Sequence, residues 1–234
     1  MSNFCICSLA INSDRFREAL LVMQKTLRSY GYKGDFLVYN DVLPKGCPPH
    51  PSQNHKFVEG QGCVPYAFKA YMMKEAQISG YRYIGWLDSV TQLQNPFSMV
   101  EKIIAKYGYL LGRNDCDLGL YTSDACLKHF RMERSEISGK PCIYGNIMFL
   151  DLKMGKCHRF LDKMLALAYV GGPYCADWEN DNGQVSKDLR VKGHRPQQSV
   201  ATIVAMKLGL TNFVPDIVTY AKSPERPDCI FRAV

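Results

Sequence analysis

Several sequence features are missing from this chain, and each absence narrows its possible roles. No apolar run in its 234 residues is long enough to span a bilayer, so no membrane-crossing helix is expected. The opening residues, Met1-Ser2-Asn3-Phe4-Cys5, have neither the basic stretch nor the cleavage site of a secretory signal, and a cytoplasmic location is expected. Ten cysteines occur, but none forms a C-x-x-C pair, which argues against zinc ribbons and thioredoxin-type sites. Cys5 and Cys7 fall on the same face of a strand, so free thiols in a reducing compartment are expected. No G-x-G-x-x-G follows the first apolar run, so the dinucleotide-binding fingerprint is absent. The basic residues are scattered and no nucleic-acid recognition motif occurs, so no nucleic-acid partner is expected. There is no internal repeat and no low-complexity segment.

The composition is that of a globular protein, with 47% hydrophobic and 22% charged residues. The net charge of +7 suits an anionic ligand or loose attachment to an acidic membrane surface. Asn3 to Ile11 reads as a core strand, and Asn12-Ser13-Asp14 as a turn with good N-cap residues. Arg15 to Tyr30 reads as an amphipathic helix carrying Phe16, Leu20, Met23 and Leu27 on one face. A second strand follows over Asp35 to Tyr39. This β-α-β opening implies parallel strands. Leu43 to His55 reads as an exposed loop, Lys56 to Val58 as a short strand, and Val64 to Ala76 as a helix opened by Pro65. Further helices are expected over 96–107, 156–169 and 195–209, and strands over 109–111, 142–151 and 213–220. Residues 114–139 read as irregular. Residues 171–192 form a long polar loop of the kind that often binds or covers ligands. One α/β domain spanning 1–234 is expected, with a mostly parallel central sheet flanked by helices and a loosely ordered tail at 223–234.

The chain centres on Tyr81 to Val90. Tyr83, Ile84, Trp86 and Leu87 form a nearly continuous apolar run, as in a strand covered on both faces. Asp88 follows at its carboxyl end, where open α/β sheets place their ligand crevices. A carboxylate there needs a cation or hydrogen-bond donors, unless it merely caps the next turn.

Three stretches in order, GYRYIGWLDSVTQL, CIYGNIMFLDL and GHRPQQSVATIVAMKLGL, resemble the GT-A class of nucleotide-sugar glycosyltransferases. The first resembles that class's strand ending in an Asp-x-Asp motif. The second resembles a later strand with a Gly- or Asn-rich step. The third resembles an H-x-D-Q-S helix that begins near the active site. VPYAFKAYMMKEA also looks like the segment before the Asp motif in some members. The resemblance covers Phe4 to about Tyr220.

The resemblance implies a GT-A-like (Rossmann-like) fold, a nucleoside diphosphate sugar donor, and a glycan or other hydroxyl acceptor. It also implies Mn²⁺ or Mg²⁺ held by Asp88 against the donor diphosphate. Val90 departs from the pattern by replacing the usual second Asp, and Gln197 by replacing the later one. By position, the donor-binding candidates are Ser8, Ala10, Ile11, Asn12 and Arg15 after the first strand, with Asn40 and Asp41 after the second. Lys69, Leu87, Asp88 and Ser89 lie around the Asp motif, followed by Gly145 and Asn146, and then by His194, Gln197 and Gln198. For most of these a turn, a bulge or a solvated helix face is the alternative. An inverting transfer needs a carboxylate to take the acceptor's proton, and Asp177, Glu179 and Asp151 are the candidates. Two rivals stand beside this reading. A sugar-phosphate nucleotidyltransferase would carry glycines after the first strand, where SLAINSDRFRE has none. A catalytically weak nucleotide-sugar-binding protein would explain the loss of two carboxylates.

Overall fold

A computed structural model describes residues 3–11, 13–47, 66–220, 226 and 228–234. The expected strand at 56–58 and the start of the helix at 64–65 lie outside these residues, as does Asn12. β1 (Phe4–Ala10), α1 (Asp14–Ser29) and β2 (Asp35–Asn40) form the β-α-β opening. Leu20, Met23 and Leu27 of α1 are buried, because the 3–4-residue spacing sets them on one face. α2 (Ala67–Ile78) leads into β3 (Tyr83–Leu87), and β4 (Thr91–Leu93) follows the turn after it.

α3 (Ser98–Tyr107) precedes β5 (Tyr109–Asp117), which is longer than its apolar start implies. Its polar second half still pairs with β6 (Pro141–Asp151), across two irregularities in register. The stretch at 114–139, read as irregular, holds the rest of β5 and a short helix, α4 (Asp124–Phe130). The Ser123 hydroxyl caps that helix by accepting from Cys126 N at 3.1 Å. α5 (Gly155–Val170), α6 (Pro196–Lys207), β7 (Val218–Tyr220) and β8 (Phe231–Ala233) complete the fold.

The central sheet has the order β2-β1-β3-β6-β5. β1 pairs in parallel with β2 and β3, whereas β6 is antiparallel to both β3 and β5. All strands except β6 therefore run the same way, and the sheet is mostly parallel in direction. One face packs against α2, α5 and α6 through Cys5, Cys7, Ile84, Trp86 and their neighbours. The other packs against α1 and α3 through Phe4, Ile6, Leu87 and Phe149. Every described cysteine is free.

Of the tail expected over 223–234, residues 226 and 228–234 are described. β8 lies between β4 and β7 in a small second sheet, and Cys229, Ile230 and Phe231 are buried. Phe231 stacks on Phe149 with ring centroids 6.0 Å apart. Ile230 and Phe231 pack on the α1/α3 face of the sheet, and this burial holds the end of the chain there. The strand expected over 213–220 shortens to β7. Pro215 cannot donate to a ladder, and Asp216 takes a left-handed φ of 54°.

Candidate active site

The parallel direction of β1, β2 and β3 brings Ala10, Asn40 and Leu87 to the same end of the sheet. At that end a cavity of about 280 Å³ opens beyond β3. It is lined by Lys69 and Tyr66 at the start of α2, Asp88 and Val90 after β3, and Gly145 and Asn146 on β6. Pro196, Gln197 and Gln198 in the first turn of α6 contribute, with Trp178 and Arg195 from the loop before it. Two helix N-termini thus face the cavity, which favours negative charge there.

Asp88 is fixed from several directions. Its backbone N–H donates to Asn146 O at 3.0 Å, which joins the end of β3 to the Gly145–Asn146 step. Its Oδ1 accepts from Lys69 Nζ at 2.7 Å and from Trp86 Nε1 at 2.6 Å. Lys69 Nζ also donates to Gly145 O at 2.8 Å, and its side chain is only 4% exposed. The ammonium lies 5.1 Å from the Tyr66 ring centre and 5.3 Å from that of Trp86, within cation–π range. A buried lysine needs such partners, and α2, β3 and β6 each supply one.

The other wall is aromatic. Arg195 lies 4.7 Å from the Tyr121 ring centre and 4.3 Å from that of Trp178, and its Nη1 donates to Trp178 O at 2.7 Å. Tyr66 holds a left-handed φ of 60°, unusual outside glycine, on the cavity edge. Burial, and then the charge of Asp88, push its phenol pKa far up against the opposing pull of Arg195. Tyr144 is pushed up to about 12 by burial and then by Tyr220. Both hydroxyls therefore stay protonated at neutral pH. A Cβ on Gly145 would come within 2.8 Å of Gln197 Oε1, the end of that side chain, so β6 and the start of α6 lie close here. Gln198 Nε2 is buried with no hydrogen-bond partner among the described residues.

Lys69, Asp88, Gly145, Asn146, Gln197 and Gln198 are thus brought together. Leu87 is instead a core residue on the α1/α3 face, and buried Ser89 does not line the cavity. His194 is fully buried. Its Nδ1 accepts from Ser123 N at 3.3 Å and its Nε2 donates to Pro173 O at 2.9 Å, so it braces the 171–195 loop rather than meeting a ligand. Ser8 and Ala10 are buried, Ile11 is half-buried, and Arg15, Asn40 and Asp41 are exposed. None of them lines the cavity, although the ends of their strands lie beside it. Arg17, not Arg15, is the basic residue engaged there, pairing with Asp14 and Asp41.

The three catalytic carboxylate candidates are not in the cavity. Asp177 and Glu179 are exposed and flank Trp178, the member of the loop that does line it. Antiparallel pairing sets Asp151 opposite Tyr83, at the far end of β3 from Asp88 and roughly 16 Å along the sheet at the usual strand rise. Asp151 there receives Arg82 Nε at 2.9 Å and Nη2 at 2.7 Å.

Burial raises the Asp151 pKa, but the Arg82 bonds and charge outweigh it and leave the carboxyl lowered. A lowered folded pKa gives stability that is complete above the ordinary value of 3.8 and lost as the pH falls through the folded value. Asp151→Asn should therefore be less stable than the parent at pH 7 and converge with it below pH 3.8, as read by urea unfolding at several pH values.

Missed in the sequence were Tyr66, Trp178, Arg195, Asn114, Tyr144 and Tyr220, all on the cavity wall. Arg195 directly follows the histidine of the third motif. Trp178 sits between two acids that drew attention for their charge.

The fit of a divalent cation can be tested on these residues. Among the described residues Asp88 is the only carboxylate lining the cavity, and Val90 lines it where a second one is expected. No cluster of three His, Cys, Asp or Glu occurs among the described residues. One Asp88 oxygen is already committed to the Lys69 cation. A divalent ion on the same carboxylate would have to share it with that ammonium, and the two like charges would repel. Among the described residues the donor set, one carboxylate already paired with a lysine, does not fit a resident cation.

The sequence matches no protein-family profile and no curated protein. Solved structures share its fold. A glycosyltransferase involved in glycosylation of the major capsid of PBCV-1 aligns over 98% of this chain and 91% of its own, at 10% identity and a TM-score of 0.51. Core-mannan synthase A from Aspergillus fumigatus, in a Mn/GDP form, aligns over 88% and 70%, at 12% identity and a TM-score of 0.50. The bifunctional glycosyltransferase WbbM aligns over 94% of this chain and 40% of its own, at 8% identity and a TM-score of 0.51. The chain has the GT-A-type glycosyltransferase fold. No helix among the described residues is long and apolar enough to cross a membrane.

Proposed function

We propose that this chain works as one domain. It transfers a sugar from a nucleoside diphosphate sugar to the hydroxyl of a glycan or other acceptor, releasing the nucleoside diphosphate and the hydroxyl's proton. The observation that carries this reading is one strand-end cavity on a GT-A-type fold. It joins the Lys69–Asp88 pair to the Gly145–Asn146 step and the start of α6. Cations and helix N-termini suit a diphosphate. The Tyr66 and Trp178 rings offer faces for a sugar or base. The orphaned amide of Gln198 supplies a hydrogen bond that a sugar hydroxyl can complete.

A nucleotide-sugar-binding protein without turnover is the second reading, favoured by the lack of another carboxylate in the cavity wall among the described residues. The test is nucleoside diphosphate release from a panel of nucleotide sugars, with and without simple sugar acceptors. Release from at least one donor supports the transferase. Saturable binding without release supports the binder, and neither binding nor release removes both.

A further inference from the structure

We propose that Lys69, seconded by Arg195, holds the donor diphosphate in place of a divalent cation. Asp88 is then a positioning residue for Lys69 and not a metal ligand. This inference rests on the transferase reading and deepens it. The Lys69 ammonium has three N–H donors, and the structure spends two of them, on Asp88 Oδ1 and Gly145 O. No described oxygen accepts the third, and Lys69 lines the cavity. The ammonium is held by α2, β3 and β6 together, so its position is fixed before any ligand arrives.

Arg195 lines the same cavity and is clamped between Tyr121 and Trp178, with Nη1 on Trp178 O. Its Nε and Nη2 donate to no described residue, leaving one edge of a planar fork suited to phosphate oxygens. Two fixed cations, with Asp88 the only acid among the described lining residues, make a site suited to a diphosphate. Val90 is consistent with this arrangement. A second carboxylate at that position would repel the same diphosphate unless a cation lay between them.

The test uses UDP and GDP as probes, titrated calorimetrically into the intact chain in excess chelator and again with Mn²⁺. Binding of Mn²⁺ alone is followed by its paramagnetic resonance signal. A cation that bridges protein and diphosphate would couple the two by about 5- to 150-fold. The expected result is nucleotide affinity that differs by less than about twofold between conditions, against that range. Mn²⁺ should show no binding to the protein alone, nor to Val90→Asp, because Lys69 still occupies Asp88. Lys69→Met should weaken nucleotide binding by about 10- to 150-fold, the worth of a charge-assisted bond, and Lys69→Arg should recover part of it.

Should Lys69→Met unfold, the chelator comparison and Val90→Asp still decide the question. Tightening by Mn²⁺ of about fivefold or more, or Mn²⁺ binding to the parent protein, overturns the inference and leaves the transferase reading standing. No nucleotide binding in either condition overturns the donor reading and the inference with it.

Discussion

Asp88→Ala should lower the melting temperature by about 5–15 °C. The estimate follows from the pair it breaks. Removing one partner of a buried ion pair costs about 3–5 kcal/mol, because the other charge is stranded. Lys69 is the stranded group, with a side chain only 4% exposed and Gly145 O as its remaining hydrogen-bond acceptor. Asp88 itself is 33% exposed, so solvent screens part of the effect, and about 2–4 kcal/mol is a fair range. In a chain of 234 residues, each kcal/mol moves the midpoint by about 2–4 °C.

The double variant Lys69→Met/Asp88→Ala removes both charges and should regain more than half of the loss. A remainder persists because Trp86 Nε1 loses its acceptor. Thermal unfolding of the two single variants and the double variant makes a cycle whose coupling term isolates the pair. Additive losses would mean that the two groups do not interact.

Gly193→Ala should reduce turnover about 100-fold, the size expected when reacting groups shift by about 1 Å. A Cβ at this position would overlap the Trp178 carbonyl and come within 2.8 Å of Glu179 N. Both atoms are backbone, so no rotamer change relieves the clash. The same Trp178 carbonyl accepts from Arg195, and the segment is clasped by His194 N to Asp177 O at 2.8 Å and Asn180 N to Lys192 O at 3.0 Å. The added methyl must part these two runs and move Trp178 and Arg195 with them. The loop is otherwise pinned to α4, where Asp124 accepts from Ser186 Oγ at 2.6 Å and Lys187 N at 3.0 Å. The damage should therefore stay local, with a far smaller loss of melting temperature than in Asp88→Ala. Parent-like turnover in Gly193→Ala would show that this wall takes no part in the reaction.

The elements that set up the site were legible for a simple reason. β1, β3 and the buried faces of α1 and α2 carry dense apolar patterns, and a strand ending in Asp88 follows from the run before it. Lys69 could be placed near Asp88 only through the resemblance, because nothing local distinguishes it from Lys74, which is more exposed and pairs with Asp162. Asp151 was misplaced because sequence does not reveal strand direction. The reversal of β6 sends its last residue to the opposite end of the sheet from Gly145. Asp177 and Glu179 were favoured for their charge, yet the loop turns Trp178 between them toward the cavity. His194 shows the same limit, since its ring is used by backbone groups at Ser123 and Pro173 that are distant in sequence.

The most direct measurement of the central claim uses the chain's two tryptophans. Trp86 donates to Asp88 at the cavity floor, and Trp178 lines its wall. A titration of ¹⁵N-labelled protein with a nucleoside diphosphate, followed at the two indole N–H resonances, reports on both sides of the cavity at once. The account predicts that both resonances shift together, with the affinity found by calorimetry. Calorimetric binding that leaves both indole signals unmoved would place the nucleotide elsewhere and contradict it.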